Sequence, residues 1–211
     1  ATERGHCLIT GEPGCGKSGL IHLLVERLEQ RSTPVVLLLA EEIGGGDTSS
    51  GQMVATLKHA VDDVLAHWSN GSVGILITDA LDAVRDPDVL MKLRRMLEDI
   101  VRGESGWTVI ASVREFDLKH SITLRELFPG SGFANHSSKD FEGVAHFHLG
   151  RLAEVELDQL IAARPEIAPF VSSARESKRS EQLHRSPFFL RLAAELLRTG
   201  VAPGRLADWN S

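Results

Sequence analysis

The chain has 211 residues and carries 23 Lys and Arg against 29 Asp and Glu, which gives a formal net charge of −6 at pH 7. That balance offers no general attraction for nucleic acid or anionic lipid, so nucleic acid is not an indicated partner. No apolar run is long enough to span a bilayer and no charged-then-apolar leader is present, so we expect a cytoplasmic protein without a membrane partner.

The first predicted elements are a short strand near residues 5–10 and a helix that starts at Lys17, with a glycine-rich loop between them. Residues 11–18, GEPGCGKS, fit the phosphate-binding pattern G-x-x-x-x-G-K-[ST] at every fixed position. Glycines let backbone N–H groups approach phosphate oxygens, and the helix N-terminus adds unpaired N–H groups and the positive end of its dipole. A chance glycine-rich turn is the alternative, and the flanking strand and helix argue against it.

This loop predicts a site for a nucleoside triphosphate, ATP, with Mg²⁺. In that chemistry Lys17 reaches the β and γ phosphates, and the Ser18 hydroxyl coordinates the metal. Lys17 is therefore a predicted catalytic residue as well as a nucleotide contact. The predicted contacts in the loop and the first helical turn are Gly11, Pro13, Gly14, Cys15, Gly16, Lys17, Ser18 and Gly19.

Short apolar runs alternate with helical stretches through the first 150 residues. Strands are predicted near 5–10, 35–40, 73–79, 107–113 and 144–149. The run 35–40 is apolar throughout, as expected for a strand covered on both faces of a parallel sheet. We therefore predict an α/β fold, the three-layer P-loop type with five parallel strands. The glycine- and serine-rich stretch 43–51 predicts a surface connector, with a cover over the site as the alternative.

The third predicted strand ends in a carboxylate. Residues 73–79 form an apolar run that closes on Asp79, the Walker B pattern for holding the magnesium shell. Asp82 follows three residues later, where a second carboxylate is suited to orient or deprotonate the attacking water. Asp79 is thus the predicted metal-side acid and Asp82 the predicted catalytic base. A helix-capping or solvent-facing aspartate is the alternative for Asp82.

The fourth predicted strand, 107–113, brings a hydroxyl and a guanidinium to its carboxyl end. Ser112 and Arg114 fall where the ligand crevice of an open parallel sheet lies. An arginine stays charged and can grip a phosphate with two hydrogen bonds, so Arg114 is predicted to sense the γ-phosphate, with Ser112 beside the nucleotide. The alternative is a surface arginine paired with Glu115.

The strand signal ends after Leu149. Residues 151–211 predict several short helices interrupted at Pro165, Pro169 and Pro187. We therefore expect a P-loop nucleotide-binding core over 1–150 and a helical lid domain over 151–211.

Four features in chain order resemble the STAND class of P-loop ATPases, the NACHT-like switch modules of the AAA+ lineage. They are residues 11–18, the DALD stretch 79–82, the strand end 112–114 and the RSPFFL stretch 185–190. The resemblance covers nearly the whole chain. In that family a proline at the place of Pro187 packs against the adenine base, so the resemblance implies an adenine contact there. An ordinary first-turn helix proline is compatible with this role.

The resemblance implies an ATP-binding and ATP-hydrolysing signalling switch inside a larger multidomain protein, with bacterial antiviral defence as one setting. Its partners would be ATP and ADP, the other domains of the same longer chain, and further copies assembled as a homo-oligomer in the ATP state. Ala83 stands where some members carry a second acid, which leaves Asp82 alone and implies slow hydrolysis. The chain stops before the winged-helix domain that usually follows, so we expect a module of a longer protein.

Two other functional classes share the phosphate loop. The first is an AAA+ motor or loader that acts on nucleic acid or protein, which predicts stronger basic loops than this acidic chain carries. The second is a small-molecule P-loop kinase, which needs an acceptor pocket and a lid rich in phosphate-gripping arginines. A GTPase is disfavoured because no N-K-x-D element follows the later strands.

Overall fold

The computed structural model describes residues 5–40, 65, 74–84, 86–103, 106–176 and 183–202. The contacts among Cα atoms divide the chain into two units. The first unit comprises the described residues of Ala1–Glu12 and Lys17–Leu149, and the second those of Pro13–Gly16 and Gly150–Ser211. The predicted connector at 43–51 lies outside the described residues.

A parallel sheet forms the centre of the first unit. Its strand order is β2-β3-β4-β1-β5, and every described pairing is parallel. Each of the five predicted strands is present, with ends that differ from the prediction by at most two residues, and the predicted α/β fold is confirmed. The strands are β1 Cys7–Gly11, β2 Val35–Leu39, β3 Gly74–Asp79, β4 Trp107–Arg114 and β5 His146–His148.

Helices cover both faces of this sheet because neighbouring strand residues point to opposite sides. Leu8 belongs to the apolar cluster that contains Leu93 and Leu97 of helix α2, whereas the next residue, Ile9, packs with Ile21 of α1. The helices of the first unit are α1 Lys17–Gln30, α2 Pro87–Arg102, α3 Glu115–His120 and α4 Ile122–Leu127.

Helix α2 begins at a clear sequence signal. The Asp86 carboxylate caps the helix by accepting hydrogen bonds from the backbone N–H groups of Asp88, at 2.9 Å, and Val89, at 3.3 Å. Pro87 occupies the first helical position, where its missing N–H leaves no hydrogen bond unmade. Asp86 and Pro87 thus fix the residue at which α2 begins.

The first strand carries a buried thiol. Cys7 lies 8% exposed, and burial raises the pKa of its thiol to about 11. Burial disfavours the thiolate because the charge would lose its hydration. Cys7 therefore stays protonated at neutral pH and acts as a small apolar residue of the sheet.

Gly74 at the start of β3 is required by its neighbour in the sheet. It lies opposite Trp107 of β4, and a Cβ at residue 74 would stand 2.6 Å from two carbons of the indole ring. Trp107 has no room to move away, because it is fully buried and its indole N–H donates to the Leu65 carbonyl at 2.6 Å.

Replacing Gly74 with alanine is expected to lower the free energy of unfolding by about 1–3 kcal/mol, the usual effect of overpacking a core. Urea denaturation measures this difference. The matched control is Gly5→Ala, because a Cβ at residue 5 meets no heavy atom within 4 Å. Equal stability of the two variants would contradict the tight contact between Gly74 and Trp107.

The second unit is helical. Its helices are α5 Glu154–Ala163, α6 Ala168–Glu176 and α7 Pro187–Arg198. Leu157, Phe170 and Leu190, one from each helix, belong to a common apolar cluster. The predicted helix breaks lie at helix or turn starts: Pro165 begins a 3₁₀ turn, Pro169 is the second residue of α6, and Pro187 is the first of α7.

An ion-pair cluster joins α5 and α6 on the surface of this unit. The Arg175 guanidinium donates to the carboxylates of Glu154, at 2.7 Å, and Asp158, at 3.3 Å. These bonds raise the pKa of Arg175, with the bond to Glu154 as the largest cause. Since all three side chains are well exposed, solvent screening keeps their contribution to stability small.

Among the helices described, none has both the length and the apolar character that crossing a membrane requires.

Candidate nucleotide site

The glycine-rich loop runs from the end of β1 to the start of α1. Gly14 and Gly16 have φ values of 76° and 103°, a region that side chains with a Cβ rarely adopt. The Lys17 ammonium donates to the carbonyl oxygens of Gly11, at 2.9 Å, and Glu12, at 3.0 Å. The backbone conformation thus requires glycine where the sequence has it, and Lys17 folds back towards the end of β1. Ser18 and Gly19 lie exposed in the first turn of α1, and Cys15 is buried.

Residues of the second unit hold the middle of this loop. The backbone N–H of Phe188 donates to the Gly14 carbonyl at 3.2 Å, and the Ser186 hydroxyl donates to the same oxygen at 3.4 Å. A Cβ on Gly14 would lie 3.0 Å from the Cβ of Phe188, so this close approach also favours glycine. Pro187, the predicted adenine contact, stands between these two donors. Its role towards adenine stays a prediction.

Asp79 is held in place by the neighbouring strand. The Ser112 hydroxyl donates to Asp79 Oδ1 at 2.5 Å and accepts from the Ala80 backbone N–H at 2.7 Å. Ala80 has the left-handed conformation, with φ 56° and ψ 52°, which turns the chain sharply after β3. Because Ser112 gives its only proton to Asp79, in this arrangement it positions the carboxylate. The contact of Ser112 with the nucleotide remains a prediction.

Asp82 and Arg114 form a two-point contact. The Arg114 backbone N–H donates to Asp82 Oδ1 at 3.1 Å, and the Arg114 Nε group pairs with Oδ2 at 2.8 Å. The Asp82 side chain is only 4% exposed, whereas that of Arg114 is 52% exposed. Both carboxylate oxygens of Asp82 are therefore occupied by one residue, and the guanidinium is accessible from solvent. Arg114 pairs with Asp82 and not with Glu115, the partner considered from the sequence.

Sheet register brings these groups to one edge. Asp79 ends β3, and Arg114 ends β4 directly opposite Gly11, the first residue of the phosphate loop. Ligands of open parallel sheets bind at the carboxyl ends of the strands. The predicted metal-side acid, catalytic base and γ-phosphate sensor thus lie beside the start of the predicted phosphate site, all within the first unit.

The residues present fit a magnesium ion bound with a nucleotide. Asp79 is 6% exposed, and in the part of the chain that the structure describes its Oδ2 atom has no hydrogen-bond donor. Mg²⁺ is usually held by one or two protein oxygens together with phosphates and water. Asp79 and the Ser18 hydroxyl are such donors, and within the described ranges no group of three or more His, Cys, Asp or Glu side chains could hold a metal by itself.

Two contacts of this site were missed from the sequence. The bond between Ser112 and Asp79 and the pairing of Asp82 with Arg114 both join residues more than 30 positions apart. Knowledge that β3 lies beside β4 would have predicted both contacts. The register sets Thr78 opposite Ala111, so Asp79 lies next to Ser112. The sequence pattern alone shows that both strands exist and does not show that they are neighbours.

No protein-family model matches the chain, and no curated protein matches it. Solved structures share its fold. The Orc1 protein of Aeropyrum pernix, solved in complex with DNA, is 14% identical with a TM-score of 0.51 over 94% of this chain. DnaA from Aquifex aeolicus, bound to AMPPCP, is 14% identical with a TM-score of 0.54 over 93% of this chain. The chain spans 56% of the length of each. At this identity the likeness shows a common fold.

Proposed function

We propose that the chain is an ATP-binding and ATP-hydrolysing module of the AAA+ lineage, and within it a STAND-class signalling switch. The observation that carries this proposal is the placement of Arg114 opposite Gly11, with Asp79 and Asp82 at the adjoining strand end. The DnaA structure bound to AMPPCP supports nucleotide binding by this fold. The assignment to the STAND class rests on the four sequence features described above.

The proposed chemistry starts with binding. Lys17 and the N–H groups of the loop hold the β and γ phosphates, and Pro187 contacts adenine, as the resemblance implies. Ser18 and Asp79 would hold Mg²⁺, which would supply positive charge that neutralises the phosphates. Ser112 keeps the Asp79 carboxylate oriented towards this site.

The pairing of Asp82 with Arg114 suggests how hydrolysis is coupled to occupancy. The guanidinium is half exposed and a γ-phosphate carries more negative charge than one carboxylate, so Arg114 exchanges Asp82 for the phosphate. The freed Asp82 carboxylate then accepts a proton from the attacking water. Without a γ-phosphate, Arg114 returns to Asp82 and the base is masked.

The output of the switch would be a nucleotide-dependent conformational change. Segments that order around a γ-phosphate are a common way in which a local charge drives a larger movement. The STAND resemblance further suggests that the module works with other domains of a longer chain and assembles as a homo-oligomer with ATP, in signalling or bacterial antiviral defence.

The test is a titration of fluorescent ATP, ADP and GTP with Mg²⁺ against the 211-residue chain, with folding checked by circular dichroism. We expect ATP and ADP to bind and GTP to bind at least about tenfold more weakly, a difference of roughly 1.4 kcal/mol. A folded chain that binds none of the three nucleotides would overturn the proposal.

A second candidate is an AAA+ loader that acts on nucleic acid. The Orc1 structure in complex with DNA favours it, whereas the net charge of −6 opposes it. Fluorescence anisotropy of a labelled DNA duplex with ATP at physiological salt distinguishes the two functions. Submicromolar binding would favour the loader, since non-specific binding at that salt concentration is typically no tighter than about 1 µM.

A further inference from the structure

The first unit contains a cavity of about 530 Å³ to which the nucleotide chemistry assigns no role. Its lining comes from the turn after β3, helix α2, and the junction of α3 and α4. Val113 contributes to it, whereas Ser112 points to the other face of the sheet, towards Asp79. The volume falls within the range of pockets that bind small molecules.

Half of the twelve residues that line this cavity are aliphatic, and the other half, which include Arg94, Asp117 and His120, are polar or charged. The aliphatic half offers a surface to a hydrocarbon group, and the polar half offers partners to charged groups. The aliphatic residues are Leu81, Val84, Leu90, Val113, Ile122 and Leu124.

Two of the charged side chains in the lining have no partner among the residues that the structure describes. Arg94 and Asp117 are half-buried and of opposite sign, yet in the described ranges neither makes a hydrogen bond or ion pair through its side chain, with each other or with any other residue. The Nε group of Arg94 is shielded from solvent and has no acceptor among the described residues. A shielded donor without an acceptor destabilises a folded protein, so a ligand that brings an acceptor to Arg94 would remove this unfavourable contribution.

We propose that this cavity binds a small aliphatic molecule that carries both a carboxylate and an ammonium group, the chemistry of a free aliphatic amino acid. Arg94 pairs with the carboxylate, Asp117 pairs with the ammonium group, and the aliphatic lining receives the hydrocarbon side chain. An anion alone would leave Asp117 unpaired beside it, and an amine alone would leave Arg94 without an acceptor.

The location gives the ligand access to the nucleotide chemistry. Asp82 contributes to the same lining, on the short 3₁₀ turn Leu81–Ala83. An occupant therefore contacts the turn that sets the position of Asp82 relative to Arg114. This makes the bound molecule a candidate input signal for the switch, although its binding does not require that Asp82 act as a base.

The test is isothermal titration of the 211-residue chain with L-leucine, L-isoleucine, L-valine and L-methionine. The matched probes for leucine are 4-methylpentanoate, which lacks the ammonium group, and 3-methylbutylamine, which lacks the carboxylate. At least one amino acid is expected to bind with a millimolar or lower Kd. For leucine, the two probes are expected to bind at least about tenfold more weakly, because each loses a charge-assisted hydrogen bond.

Arg94→Gln and Asp117→Asn are each expected to weaken amino acid binding at least about tenfold. The matched controls Arg95→Gln and Asp99→Asn change exposed residues of α2 outside the lining and are expected to keep the wild-type affinity. Lys17→Ala is also expected to keep it, so failure of nucleotide binding and failure of this proposal are distinguishable. Absence of saturable binding by all four amino acids, or an equal loss in the control variants, would overturn the proposal.

Discussion

Replacing Lys17 with alanine is expected to weaken ATP binding by about 10- to 100-fold. A hydrogen bond to a charged group contributes roughly 1.5–3 kcal/mol to binding. Lys17 is the only positively charged side chain in residues 11–18, so its replacement removes that contribution from the phosphate loop. Fluorescence titration with ATP and Mg²⁺ measures the change. ADP binding is expected to weaken less, because the γ-phosphate contact is absent from it.

The control for this variant must separate a lost phosphate contact from a rearranged loop. Lys17 also donates to the carbonyls of Gly11 and Glu12, so its removal frees those oxygens. Lys92→Ala removes an exposed lysine from α2 and serves as the matched charge change. If Lys17→Ala bound ATP as tightly as Lys92→Ala, residues 11–18 would not be a phosphate site.

Replacing Asp82 with asparagine is expected to lower kcat for ATP hydrolysis by about 100-fold or more and to leave ATP affinity within about threefold. A positioned base typically contributes 10²- to 10⁴-fold, and an amide cannot accept the proton of the attacking water. Asparagine keeps an oxygen for the Arg114 backbone N–H, so the turn after β3 is expected to keep its place. Phosphate release under saturating ATP measures kcat.

Two further variants give this prediction its controls. Asp88→Asn removes an exposed aspartate at the start of α2 and is expected to hydrolyse ATP like the wild type. Arg114→Gln is expected to reduce the preference for ATP over ADP about tenfold, since the γ-phosphate loses a charged partner. Retention of hydrolysis in Asp82→Asn would mean that Asp82 serves only as the structural partner of Arg114.

The fold could be predicted because its signals are local. Each strand is a short apolar run, and the phosphate loop is a contiguous pattern that works through backbone geometry. Gly14 and Gly16 illustrate this point. Both have positive φ values, and the loop pattern of residues 11–18 already predicts glycine at these two positions. Strand ends are specified less well by local sequence, and β5 is shorter than the stretch 144–149 that predicted it.

The contacts within the site could not be predicted, because they depend on which strands are neighbours. From the sequence, Glu115 was the ion partner considered as the alternative for Arg114, yet the strand order places the turn carrying Asp82 beside the end of β4. Arg94 and Asp117 show the same limit. They lie on separate helices, and only the packed structure shows that they line one cavity.

The strand order also has a consequence for how the chain acquires its structure. β1 is an interior strand, but both of its partners come late in the sequence: Cys7 lies opposite Ile110, and Leu8 lies opposite His146. During synthesis this apolar strand stays without a paired neighbour until β4, about a hundred residues further along the chain, has been made. Such distant pairing slows folding and exposes an aggregation-prone edge, so we expect β1, and with it the start of the phosphate loop, to be among the last parts of the first unit to form.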